Sequence, residues 1–66
     1  MGEKIRQVRL ARGLTQRELA EIAGVSAVTI SKLETGAARS ASSKTLLRLA
    51  SALNTSLDRL FFGEGV

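Results

Sequence analysis

Only Gly24 and Val25 separate two helix-forming segments, and this short connection limits the fold more than any other feature of the chain. Upstream, Thr15-Gln16-Arg17-Glu18 has capping-box spacing, in which the Thr15 hydroxyl and the Glu18 carboxylate each satisfy an orphan amide. Leu19, Ala20 and Ala23 then recur at helical spacing until Gly24 stops the helix. Downstream, Ser26 is a good N-cap, and Ile30 and Leu33 give the next helix an inward side. Two helices joined this tightly must cross steeply with their backbones nearly touching. The crossing needs a small residue on the first helix, supplied by Ala20, and a turn residue tolerant of positive φ, supplied by Gly24. Val25, Ile30 and Leu33 lock the second helix from beneath. Ala27, Val28, Ser31 and Lys32 are then expected on its outward side.

Helical signals extend over the rest of the chain. Ile5 and Val8 form an inward stripe on a first helix that leaves Lys4, Arg6 and Arg12 wet, with Gly13 as its stop. Gly36 to Ser42 is small and polar and reads as a surface loop. A fourth helix, capped by Ser42, buries Leu46, Leu49, Ala50 and Leu53 and ends at Asn54. A fifth carries Leu57, Leu60 and Phe61. The expected helices run from about 3–12, 15–23, 26–35, 43–53 and 56–61. An all-α, five-helix architecture in one domain follows, with the tail Gly63-Glu64-Gly65-Val66 expected to fray.

Composition excludes several function classes. The 66 residues contain neither cysteine nor histidine, so disulfides and the usual zinc ligand sets are absent. Glu18 and Glu21 lie three apart on a helix, but two carboxylates without histidine make a poor metal site. Ser31-Lys32 and Ser43-Lys44 pair a hydroxyl with an amine, yet adjacent helical residues point about 100° apart, so no catalytic role is expected. The expectation is a non-enzyme with no metal or cofactor. No apolar run approaches the ~18 residues needed to span a membrane, and the N-terminus lacks a signal-peptide core, so the cytoplasm is the default. Ten basic residues against six acidic ones leave a net charge of +4. That balance fits a polyanionic partner such as nucleic acid, although it also fits a plain basic surface.

The run Leu14-Thr15-Gln16-Arg17-Glu18-Leu19-Ala20, then Ala23-Gly24-Val25-Ser26, then Thr29-Ile30-Ser31-Lys32-Leu33-Glu34-Thr35-Gly36 resembles the lambda-repressor-like helix-turn-helix family of Cro and CI type. Thr45 to Leu53 and Ser56 to Leu60 are similar to that family's closing helices, so the likeness extends from Ile5 to Phe61. The resemblance implies a compact five-helix domain with the helix-turn-helix at helices 2 and 3. It also implies a transcriptional regulator that binds double-stranded DNA.

Roles for individual positions follow from the resemblance. Gln16 falls where the family sets a side chain against phosphate, beside the base-reading residues. Ser26 and Thr29 match positions that meet backbone oxygens near the recognition helix N-terminus. Ala27, Val28 and Lys32 match base-facing positions, with Ser31 on the same outward side, and Thr35 and Arg39 fall where the following loop nears the sugar-phosphate chain. Many relatives carry Gln, Asn or Arg at the positions of Ala27 and Val28. Here only methyl contact with thymine is available, leaving Lys32 as donor to guanine, unless Val28 packs partly on the protein itself. The family often pairs a first-helix arginine with a glutamate ending the recognition helix. Arg9 and Glu34 fill those positions, as a buried ion pair or a loose surface one. Leu57 lies on the last helix and Phe62 just after it, in the region where the family often forms its twofold interface; the alternative is that Phe62 folds back or frays.

The resulting expectation is a homodimer on a pseudo-palindromic operator, its two recognition helices entering major grooves about 34 Å apart. RNA polymerase or another protein is a further possible partner, and no membrane is expected. Phage repressors, restriction-modification controllers and antitoxins all fit this frame, as does the DNA-binding half of a longer protein. The rival class is a helical interaction module that has lost DNA binding.

Overall fold

The computed structural model describes residues 2–61, with side chains as far as Leu60. They form five helices and, among the described residues, no strand: α1 (Gly2–Ala11), α2 (Gln16–Ala23), α3 (Ala27–Thr35), α4 (Ser43–Ala52) and α5 (Leu57–Phe61). Phe62 and the four residues after it lie outside the described residues, as does the Phe61 side chain.

Local chemistry accounts for the helix ends. Thr15 Oγ1 accepts from the Glu18 amide at 3.0 Å while the Thr15 amide donates to Glu18 Oε1 at 2.9 Å, completing the capping box. Ser26 Oγ accepts from the Val28 amide at 3.1 Å, and Ser42 Oγ from the Thr45 amide at 3.2 Å. Each such cap is worth about 1 kcal/mol. After α4 the chain reverses at Asn54, whose φ of 55° is the only positive value outside glycine among the described residues. Asparagine tolerates that conformation better than other residues with a Cβ.

Packing closes a ring: α1 lies against α3 and α5, α2 against α3 and α4, and α4 against α5. At its centre Ile5, Leu19, Ile30, Leu49, Leu53 and Leu60 are fully buried. Each contributes about 1.5–3 kcal/mol by leaving water. Ala20, Ala23 and Ala50 are buried beside them, where small side chains let helices approach closely. Gly2 meets an unforeseen constraint: a Cβ there would collide with the Leu33 carbonyl, so α1 begins hard against the end of α3.

Arg12 is exposed as expected, while its Nε donates to the Leu53 carbonyl and its Nη2 to that of Asn54 at 3.3 Å. A cation there compensates the unpaired carbonyls at the end of α4. The segment from Gly36 to Ser42 is the expected surface loop, with Ala38 and Ala41 half-buried against the core. Two expectations need correction. Leu46, expected in the core, is only half-buried, one turn before the stretch of α4 that carries Leu49, Ala50 and Leu53 inside. Ala27 is the second, and its displacement affects the site.

Candidate functional site

The two-residue turn between α2 and α3 determines how the site is presented. Gly24 caps α2 with φ 72° and ψ 33°, and its amide and that of Val25 both donate to the Ala20 carbonyl, at 2.9 and 3.1 Å. Arg48 reaches across from α4 to donate Nη1 to the Gly24 carbonyl at 3.2 Å. Val25 packs half-buried beneath the turn. Helix α3 therefore leaves the turn with Ile30 and Leu33 buried and its opposite side facing out.

That outward side is narrower than the sequence implied. Val28 is 61% exposed, Lys32 is exposed, and no side chain pairs with Lys32 among the described residues. Ser31 and Thr29 are half-buried. Ala27 packs half-buried against the core. Helical geometry explains this: seven residues, nearly two turns, bring Ala27 onto the stripe of Glu34, while Val28, Lys32 and Thr35 form a separate stripe. Thr35 is exposed; its hydroxyl accepts from the Ala37 amide and donates to the Lys32 carbonyl, both at 3.4 Å. Arg39 is exposed in the following loop, likewise without a side-chain partner among the described residues.

Beneath α3 lies a polar network joining three helices. Arg9 donates Nε to Glu34 Oε2 at 2.7 Å and Nη2 to Oε1 at 2.9 Å, a two-pronged pair whose side chains are only 9% and 3% exposed. Arg9 Nη1 donates to the Leu14 carbonyl at 2.8 Å, and Gln16 Nε2 donates to Glu34 Oε1 at 3.0 Å. Of the two forms considered from sequence, the geometry is the buried one. The Glu34 hydrogen bond outweighs burial and raises the Arg9 pKa above its ordinary value. For Glu34, burial pushes the pKa up, but the bonds from Arg9 and Gln16, with the charges of Arg9 and Arg6, outweigh it and hold the carboxyl below 4.5. No buried side-chain nitrogen or oxygen lacks a partner among the described residues.

Gln16 thus sits half-buried at the start of α2, with one amide hydrogen committed to Glu34. The Gln16–Glu34 bond escaped sequence reasoning because residues 18 positions apart meet only through the packing of α2 on α3. On the far side of the molecule, Leu57 is half-buried and lines a shallow groove with Leu47, which is 54% exposed. No described group of histidine, cysteine or carboxylate residues is arranged to hold a metal, and no described helix is long and apolar enough to cross a membrane.

The profile of the helix-turn-helix family matches residues 5–60. Over 64 residues the chain is 36% identical to the Bacillus subtilis (strain 168) protein named "Uncharacterized HTH-type transcriptional regulator RghRB". That match takes in 97% of this chain but 46% of the relative, so the chain spans about half the relative's length. Control protein C.SmaI of Serratia marcescens is 36% identical over 66 residues, covering all of this chain and 77% of that protein. Among solved structures, the restriction-modification controller protein C.AhdI from Aeromonas hydrophila superposes with a TM-score of 0.85 at 33% identity, over 91% of this chain and 89% of that one. The P22 c2 repressor protein, in complex with synthetic operator 9T, superposes with a TM-score of 0.87 at 36% identity, over 96% and 94% of the two chains.

Proposed function

The chain belongs to the helix-turn-helix family, and from that premise we propose that it binds double-stranded DNA sequence-specifically, as a homodimer, and regulates transcription. The observation that carries this reading is the asymmetry of α3. One side is locked into the core through Ile30 and Leu33, and the other leaves Val28 and Lys32 exposed. An α-helix with its side chains is about 10–12 Å across, which fits a major groove about 12 Å wide. The operator complex of the P22 c2 repressor, with the same fold at 36% identity, supports the same partner.

Val28 carries methyl groups suited to the 5-methyl of thymine, and Lys32 a donor suited to guanine O6 or N7. Ala27, half-buried, adds at most an edge contact. Gln16, Ser26, Thr29, Thr35 and Arg39 take phosphate and sugar oxygens, which position the protein without reading sequence. The molecule is 29 Å in its longest dimension. Two major grooves on one face lie about 34 Å apart, so one copy falls short of both and a two-fold site calls for two. The α4–α5 groove around Leu47 and Leu57 is the surface proposed to join them. Such a protein works in the cytoplasm, by occluding or contacting RNA polymerase, as a phage-type repressor or a restriction-modification controller.

The test is selection of binding sites from a random duplex library. Enrichment of two inverted half-sites one helical turn apart, with thymines beside a guanine, is the expected result. One observation favours a second reading, a protein-interaction module: exposed Val28 is as suited to an apolar partner as to a thymine methyl. Binding to duplex DNA that weakens steeply with salt separates the two, since only the first displaces counterions.

A further inference from the structure

A pocket of about 420 Å³ opens between α1 and α5. It lies across α1 from the Arg9–Glu34 network: Arg6 and Arg9 face the end of α3, whereas Lys4, Gln7, Val8 and Ala11 face the pocket. One side of a helix turning about 100° per residue accommodates those four positions. Val8, packed half-buried against the core, and Ala11 give an apolar floor. Around it stand three cations, Lys4, Arg12 and Arg59, together with Gln7 and Thr55. Arg12 Nε and Nη2 are held by the Leu53 and Asn54 carbonyls, which fixes the guanidinium and leaves Nη1. Arg59 is exposed, and no side chain pairs with it among the described residues. Among those residues no carboxylate lines the pocket; Asp58, beside Arg59 in the chain, lines the α4–α5 groove instead.

We propose that this pocket docks an acidic segment of another protein, one with aliphatic side chains interleaved among its carboxylates. Three cations facing no carboxylate set the sign of the partner, and a guanidinium matches two carboxylate oxygens in parallel. The stems of Arg12 and Arg59, with Val8 and Ala11, offer apolar surface to the aliphatic side chains. A protein segment suits the site better than a free small molecule. The pocket is open to solvent on one side, so a lone occupant is held weakly, whereas two proteins on one duplex meet at an effective concentration of about 1 mM. Only that last step rests on the reading of the chain as a DNA-binding protein. Val28 and Lys32, which face the bases in that reading, do not line the pocket, so duplex and acidic segment bind together.

The experiment follows backbone amide shifts of the isotope-labelled chain as end-capped peptides are added, without DNA and then with a saturating duplex. Glu-Leu-Glu-Asp-Leu-Glu is expected to move the amides of Val8, Ala11, Thr55 and Arg59 with a Kd of about 1 mM. Glu-Ser-Glu-Asp-Ser-Glu should bind about tenfold more weakly, and Lys-Leu-Lys-Lys-Leu-Lys should not bind. Arg59→Gln should weaken the acidic peptide about threefold. Arg17→Gln makes the same change of charge on α2, which packs on α3 and α4, and should leave the affinity unchanged. Ala11→Gln, uncharged and compatible with a helix, fills the floor and should abolish binding. All three positions are exposed, so the urea midpoints should match the parent's. No saturable shift at these amides, equal binding of the serine peptide, or an equal loss in Arg17→Gln overturns the proposal. So does a shift of the same amides on concentrating the chain alone, which assigns the pocket to a second copy. Expulsion of the peptide by the duplex overturns it too, by assigning the cations to phosphate. A chain that takes the peptide but no duplex leaves this site standing and overturns the DNA reading instead.

Discussion

Glu34→Gln is the most informative single substitution for the architecture, because three helices meet at that carboxylate. The amide is isosteric, so packing is kept, but its nitrogen would turn a donor toward the donors of Arg9 or Gln16. Arg9 would keep its bond to the Leu14 carbonyl and lose its charge partner while 9% exposed. Leaving one member of a buried pair uncompensated costs about 3–5 kcal/mol, against about 3–10 kcal/mol of total stability for a chain this size. At the lower figure the melting temperature falls by about 12–24 °C. The assay is urea unfolding followed by helical circular dichroism, since the chain has neither tryptophan nor tyrosine. The double variant Arg9→Met with Glu34→Leu should be more stable than either single change, because apolar replacement removes both desolvation penalties. A loss below about 1 kcal/mol, the size of an exposed pair, would refute the claim that burial makes this network matter.

The same carboxylate predicts a pH dependence. Its folded pKa lies below 4.5, so the unfolded state binds the proton more readily. The contribution to stability is fully present above the unfolded value and is lost as pH falls through the folded one. Parent and Glu34→Gln should therefore differ by a constant amount near neutrality and converge in acid below about pH 4.5.

Other substitutions test separate elements. Gly2→Ala drives a Cβ into the Leu33 carbonyl and should lower stability by about 1–3 kcal/mol, read as a shift in urea midpoint. Gly24→Ala meets only Arg48 Nη1, at an ordinary contact distance of 3.8 Å, so its φ of 72° is what is penalised; a loss of about 1–2 kcal/mol in the same assay is expected. Val28→Ala, at 61% exposure, should leave the urea midpoint within about 0.5 kcal/mol of the parent while repeated site selection loses its preference for thymine.

The elements themselves were legible in the residues. The caps at Thr15, Ser26 and Ser42, the stop at Gly24 and the reversal at Asn54 all appear where the sequence signals them. Such signals act through hydrogen bonds and backbone sterics within about four residues, so neighbours in sequence suffice to read them. Their spacing also exposed the two-residue turn, and with it the helix-turn-helix likeness. The tertiary structure alone decided where the polar side chains end and how far each helix is rotated. Ala27 turned half inward because α3 packs against both α1 and α2. Gln16 reached Glu34 across 18 positions, and Arg12 crossed 41 to find the Leu53 carbonyl. Gly2 became a constrained position only because α1 begins against the backbone of α3. Long, flexible side chains and close backbone approaches depend on which groups the finished packing leaves unsatisfied, and that depends on the relative placement of whole helices.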